Sequence, residues 1–171
     1  MCLNNLAEQS RERGDLKSAR PLYEDALAEA RLGGDPGNIA LCLQNLAILL
    51  LQDGDPEGAG GFNLEALRIV RDLGLRALGV GVIEVAGGLA LASGDLAKGI
   101  RLGAASLALF QAMGITRDPM NARMQAHFMA SVLPLLGTRA FAQARMEGAA
   151  LSYEAALAEA EAWLNPTRWG G

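Results

Sequence analysis

The chain has 171 residues, 51% of them hydrophobic but only 5% aromatic, with 15 basic against 19 acidic side chains and a net charge of −4. That length suits one buried core, or a short stack of repeats sharing one, and leaves little room for two domains. Residues 35–74 hold Asp35, Asp53, Asp55, Glu57, Glu65 and Asp72 against Arg68 and Arg71, so the whole net charge sits there. No basic block remains for nucleic acid or an anionic membrane, and neither is expected as a direct partner.

The apolar mass is mostly Ala and Leu, both strong helix formers. Met1 is followed at once by Asn4, Asn5, Glu8 and Gln9, which is not the pattern of a secretory leader. The most apolar run, Leu41 to Leu51, is shorter than the ~20 residues that span a bilayer and is broken by Gln44 and Asn45. A soluble, cytoplasmic protein is expected. Cys2 and Cys42 fall at equivalent places of neighbouring units, too far apart for a disulfide, and read as small buried hydrophobes in a reducing compartment.

The first helix opens near Leu3 and ends at Arg13-Gly14-Asp15, a tripeptide known from adhesion ligands. Its Gly-Asp returns at 54–55 and 94–95, a constant interval of 40. A ligand motif has no reason to keep a period, whereas a turn between the two helices of a repeated unit must. Gly34, Gly74 and Gly114 keep the same interval and separate the units. Asp15, Asp55 and Asp95 are placed as N-caps of second helices, and Asp35-Pro36 and Asp118-Pro119 open first helices.

Apolar positions repeat in register. Leu3, Leu43 and Ile83 align, as do Leu6, Leu46 and Ala86, at the spacing of one face of a first helix. Ala19, Ala59 and Gly99, then Leu22, Phe62 and Leu102, form the face of a second. The stretch GVGVIEVAGG, Gly79 to Gly88, has β-branched content but sits in the register of a first helix, and helix is the reading taken. As a dinucleotide fingerprint it fails, because Glu84 stands where the third glycine belongs. Gly87 and Gly88 of this stretch, with Gly99 and Gly103, predict a soft third unit, since each interior glycine costs about 1 kcal/mol unless it permits close packing.

These positions resemble the tetratricopeptide repeat: Leu3, Leu6-Ala7, Ala19, Tyr23 and Ala26 in the first copy, then Leu43, Leu46-Ala47, Ala59 and Ala66. The third copy is degraded, with Gly87, Gly99, Gly103 and Ser106 at key places. The 40-residue period exceeds the usual ~34. Together with LGTRAFAQARMEGAALSYEAALAEAEAWL, Leu136 to Leu164, it resembles the long-period tails of bacterial multidomain ATPase regulators linked to LuxR-type or nucleotide-cyclase domains.

The resemblance implies an all-α, right-handed superhelix of TPR-like hairpins over residues 1–165. Its units are about 1–34, 35–74, 75–114 and a degenerate 115–148, followed by a terminal helix 152–164 and a loose tail 166–171. It also implies an inner wall made by first helices: Asn4, Glu8 and Arg11, then Leu41, Gln44, Asn45, Ile48 and Leu51, then Gly81, Glu84, Gly88 and Leu91. Of the family's carboxylate clamp only Asn4 and Asn45 are matched, and Glu8 has the wrong sign, which argues against a receptor for peptide C-termini. Whether Ile48 and Leu51 belong to core or to an apolar partner groove stays open at this point.

No GxxxxGK[ST] run occurs, His127 is the only histidine, and Glu154, Glu159 and Glu161 read as a solvated helix face, not an acid pair. The expectation is a non-catalytic interaction or sensor module with no cofactor and no metal. Its partner would be a protein: an effector or ATPase domain of a parent chain, another protein, or a second copy of itself. The unit that begins at Met1 without a capping repeat suggests a piece of a larger regulator. The alternatives are a helical domain that binds or turns over a small molecule, and a helical-repeat nucleic-acid binder.

Overall fold

A computed structural model describes residues 2–117 and 119–164, and among these every regular element is an α-helix. The helices are α1 (Leu3–Glu12), α2 (Leu16–Gly33), α3 (Pro36–Gln52), α4 (Pro56–Asp72), α5 (Arg76–Ala92), α6 (Leu96–Ala112), α7 (Pro119–Leu136), α8 (Thr138–Ala149) and α9 (Tyr153–Trp163). Asp118 of the expected Asp118-Pro119 helix start and the tail 166–171 lie outside the described residues.

The 40-residue period is realised as geometry. Asp15, Asp55 and Asp95 each accept a hydrogen bond from the backbone N–H three residues on: Ser18 at 3.1 Å, Gly58 at 2.9 Å and Lys98 at 3.3 Å. Asp35 caps α3 through the N–H groups of Gly37 and Asn38, with Pro36 in the first turn where its missing N–H costs nothing. Gly14, Gly54 and Gly94 take φ of 77°, 81° and 83°, a left-handed conformation that side-chain-bearing residues rarely adopt.

Three hairpins result, α1/α2, α3/α4 and α5/α6, stacked so that α2 lies on α3, α4 on α5, and the first helices α3 and α5 touch directly. This is an all-α stack of TPR-like helical hairpins. One continuous core runs through it, with Tyr23, Leu43, Leu46, Leu67, Ile83, Leu89 and Leu102 almost fully enclosed. Cys42 is buried in it and burial raises its thiol pKa; Cys2, expected to be buried, is exposed because it precedes the first turn of α1.

The glycines of the third unit have a structural use. A Cβ on Gly99 would lie 2.3 Å from Leu91 and 2.9 Å from the Gly87 carbonyl, and one on Gly87 would lie 3.0 Å from the Gly103 nitrogen. They let α5 and α6 approach backbone to backbone, the close packing that gives an interior glycine a structural use.

Beyond α6 the pattern changes. The expected fourth hairpin takes a different form, because α8 packs chiefly on α6 and only lightly on α7. Gly148 allows it: a Cβ there would sit 2.1 Å from the Arg101 carbonyl oxygen. α9 then returns to the furrow between α4 and α6 and covers α5 there. Tyr153 meets Gly79, Arg76 lies over the Tyr153 ring at 4.6 Å, and the Trp163 indole donates to Asp95 at 2.9 Å.

Glu154 is exposed, as expected of a solvated face, but Glu159 and Glu161 are half-buried, and all three are paired. They pair respectively with Arg76 at 2.8 Å, with Lys98 and Arg101 at 2.7 Å each, and with Arg71. Three carboxylates thus fasten α9 to three successive helices, with Glu159 the most enclosed of them.

Candidate functional site

The expected wall lies on α1, α3 and α5, and α7 crosses its C-terminal half. On α1, Glu8 accepts from the Tyr23 hydroxyl through one oxygen and from Arg11 through the other. Burial pushes the Tyr23 phenol well above its ordinary range, and the Glu8 charge adds to the effect. Burial alone would lower the Arg11 pKa, but Glu8 outweighs it and the guanidinium is held above its usual value. The triad is a fixed ion pair with a neutral tyrosine. Arg11, only 3% exposed, turns its other nitrogen to the Asn121 carbonyl oxygen of α7 at 3.2 Å and to the Met120 sulfur at 3.6 Å.

On α3, Ile48 and Leu51 are buried, at 4% and 7% exposure. They line a cavity of about 30 Å³ that Glu84, Gly88 and Leu91 share with Asn121, Met124, Gln125 and Met129 of α7. That volume has room for about two waters. A Cβ on Gly88 would meet Leu51 at 2.8 Å, so the floor here is drawn as tight as backbone permits. Gln52 donates to the Met124 sulfur at 3.5 Å, and Glu84 of α5 pairs with Arg117, which precedes α7.

The N-terminal half of the wall is open. Asn45 donates to Asn4 at 2.9 Å, joining α1 to α3, and Leu41 is 37% exposed. Gln44 is half-buried against Gly81, where a Cβ would come within 2.3 Å of its amide nitrogen; its carbonyl oxygen is buried without a hydrogen-bond partner.

Thus Arg11, Ile48, Leu51, Glu84 and Leu91 are brought together beneath α7, with Glu8 behind Arg11. Asn4, Leu41, Gln44 and Asn45 form a separate, uncovered part. The residues missed from the sequence are Gln52 and those of α7 itself. Its signal was present in Met120, Asn121, Met124, Gln125 and Met129, an amphipathic spacing with an amide beside each of the first two methionines.

On the other side of α7, a cleft of about 900 Å³ opens between α6, α7 and α8, lined by Leu107, Leu133, Phe141 and Met146 with Arg117 and Arg145. His127 lies exposed on α7. Among the described residues no group of three or more His, Cys, Asp or Glu could hold a metal ion. No helix there is long and apolar enough to cross a membrane.

Stacked helical hairpins with first helices forming a wall define the class as a helical-repeat protein. Residues 1–72, the first two hairpins, match the tetratricopeptide-repeat family and form a tetratricopeptide region. No curated protein and no solved structure matches the chain. Repeats of this family generally mediate protein–protein interaction, the role of a non-catalytic module.

Proposed function

We propose that the chain is a protein-interaction or sensor module of a larger cytoplasmic bacterial regulator, and that the wall of α1, α3 and α5 is where its partner docks. The partner is an effector or ATPase domain of the parent chain, or a separate protein. The observation that carries this reading is that an α-helix crosses the wall, with Arg11 of α1 and Gln52 of α3 bonded to it and Glu84 of α5 paired with Arg117 just ahead of it. A wall that accepts one helix in this way has the shape for helix-in-groove recognition.

Leu41 is the residue for the test, since it lies on the open half of the wall and its exposure lets Leu41→Glu preserve the fold. A protein retained by the wild type and by an outer-face variant, Arg31→Glu, but lost with Leu41→Glu supports docking on the wall. Retention that follows the outer face, or no protein sensitive to Leu41, overturns it.

A second reading is small-molecule binding in the cleft beside α7, whose volume falls within the ~300–1,000 Å³ of ligand sites and whose arginines suit an acidic, apolar ligand. Displacement of a fluorescent fatty-acid probe, abolished by Arg145→Glu, is the outcome that favours it. Retained displacement in that variant removes it.

A further inference from the structure

Resting on the docking role proposed for the wall, we propose that α7 is a resident occupant of the partner's seat. The partner it stands in for is an amphipathic helix of the same chemistry: methionine or leucine at two successive turns, a hydrogen-bond acceptor for Arg11 and a basic side chain for Glu84.

Four observations lead there. First, α8 reaches α6 without passing through α7, by the Gly148–Arg101 approach and the Arg101–Glu147 pair at 2.6 Å. Second, Val132 is the one described side chain of α7 that is buried, whereas α3 and α5 have buried residues along their whole lengths. An element with so little enclosed apolar surface opens more readily than its neighbours.

Third, its contacts with the wall include separable side-chain pairs, Asn121 on Arg11 and Met124 on Gln52, with Arg117 just ahead of the helix on Glu84, while Gln125 ties it to the Gly103 carbonyl and Ser106 hydroxyl of α6. Methionine adapts to varied apolar surfaces, so another helix can reproduce the apolar part of this seat. Fourth, Gly114 and Gly137, both at positive φ, bracket the segment and leave each end of α7 on a turn instead of a continuous helix. The cleft of about 900 Å³ on its far side adds no support from behind.

A seat filled by its own chain weakens an outside helix by the fraction of time it stands open, and loosening the occupant restores the difference. The probe is a fluorescein-labelled synthetic peptide with the sequence of residues 117–136, titrated by anisotropy against the full chain. Arg117→Glu in the chain sets two carboxylates together at Glu84 and lifts α7 while leaving the wall intact. That variant is expected to bind the peptide at least about tenfold more tightly than the wild type. In a Cys2→Ser background, Gln52→Cys with Met124→Cys places two thiols where the side chains now touch. Oxidation of that pair is expected to weaken peptide binding at least about tenfold, and reductant to restore it.

Equal affinity of wild type and Arg117→Glu overturns the proposal, as does failure of every form to bind. If affinities are equal yet Glu84→Lys weakens the peptide, the wall docks helices but α7 does not guard it, and the docking role survives. If affinities are equal and Glu84→Lys has no effect, the peptide has bound elsewhere; the resident-occupant proposal falls, and the Leu41→Glu comparison judges the docking role separately.

Discussion

Gly148→Ala and Gly61→Ala are the same substitution in the same kind of element, and the structure assigns them opposite signs. Composition treats both as improvements, since replacing a helical glycine by alanine gains up to about 1 kcal/mol, in full at Gly61 inside α4 and less at Gly148 next to the end of α8. Gly61 is exposed on α4 and a Cβ there meets nothing within 4 Å, so that gain is expected in full. At Gly148 the new methyl would stand 2.1 Å from the Arg101 carbonyl oxygen, 2.8 Å from its carbon and 3.0 Å from its Cα. The obstacle is the main chain of α6 and cannot rotate away, so α8 must withdraw by roughly 1 Å to restore ordinary contact.

Overpacking costs about 1–3 kcal/mol, and a backbone obstacle places this site at the upper end. After the propensity gain, Gly148→Ala is left about 2 kcal/mol less stable than the wild type. At about 2–4 °C per kcal/mol for a chain of this size, its melting temperature falls by about 4–8 °C while that of Gly61→Ala rises by about 2–4 °C. Thermal melts followed by circular dichroism, with urea titrations as an equilibrium check, measure both. A Gly148→Ala protein that melts at or above the wild-type temperature refutes the α6–α8 packing described above.

Asp95 accepts from the Lys98 N–H and from the Trp163 indole, whereas the equivalent Asp55 only caps its helix; Asp95→Ala is expected to lose about 2 kcal/mol in urea unfolding and Asp55→Ala clearly less. Equal losses would mean that the indole bond contributes nothing. Burial raises the Glu159 pKa, but hydrogen bonds and charge from Lys98 and Arg101 outweigh it, and the carboxyl lies below its ordinary value of 4.5. A group lowered in this way stabilises the fold above its unfolded pKa, and the contribution fades as pH falls through the folded value. Acidification below about pH 4.5 should therefore loosen α9, read as a Trp163 fluorescence change in a Trp169→Phe background and blunted by Glu159→Gln. An acid transition unaltered by Glu159→Gln would sink the assignment.

The parts of the fold legible in the sequence are those set by neighbours along the chain. An Asp cap with a Gly turn before it needs only a few residues to specify it, so three copies at a fixed interval announced three hairpins. The helical assignment of GVGVIEVAGG came from the same register, and α5 is a helix there. What escaped depends on residues far apart in sequence. Nothing local to Glu159 indicates that Lys98 and Arg101 will stand opposite it. Nothing local to Gly79 indicates that Tyr153 will fill the space where its side chain would be.

The wall shows both cases. Its residues on α1, α3 and α5 followed from periodicity, so Ile48 and Glu84 could be named in advance. The question whether Ile48 and Leu51 were core or groove had a third answer, that both are buried beneath α7, because the covering element is contributed from 70 residues further on. Composition alone gave the glycines of α5 and α6 a cost, and only the approach of the two backbones gives them a use.

The return of α9 alters the order in which the protein can assemble. In a plain repeat array each unit touches only its neighbours, so folding can begin anywhere and finish piecemeal, even while synthesis continues. Here the Arg71–Glu161 pair spans 90 positions and the Trp163–Asp95 bond spans 68, so the furrow between the second and third hairpins stays unfilled until residue 163 leaves the ribosome. Closing contacts of that span are slow to find. The most C-terminal of the described helices thus completes the middle of the stack, turning a row of local pieces into a unit whose locking step waits for α9.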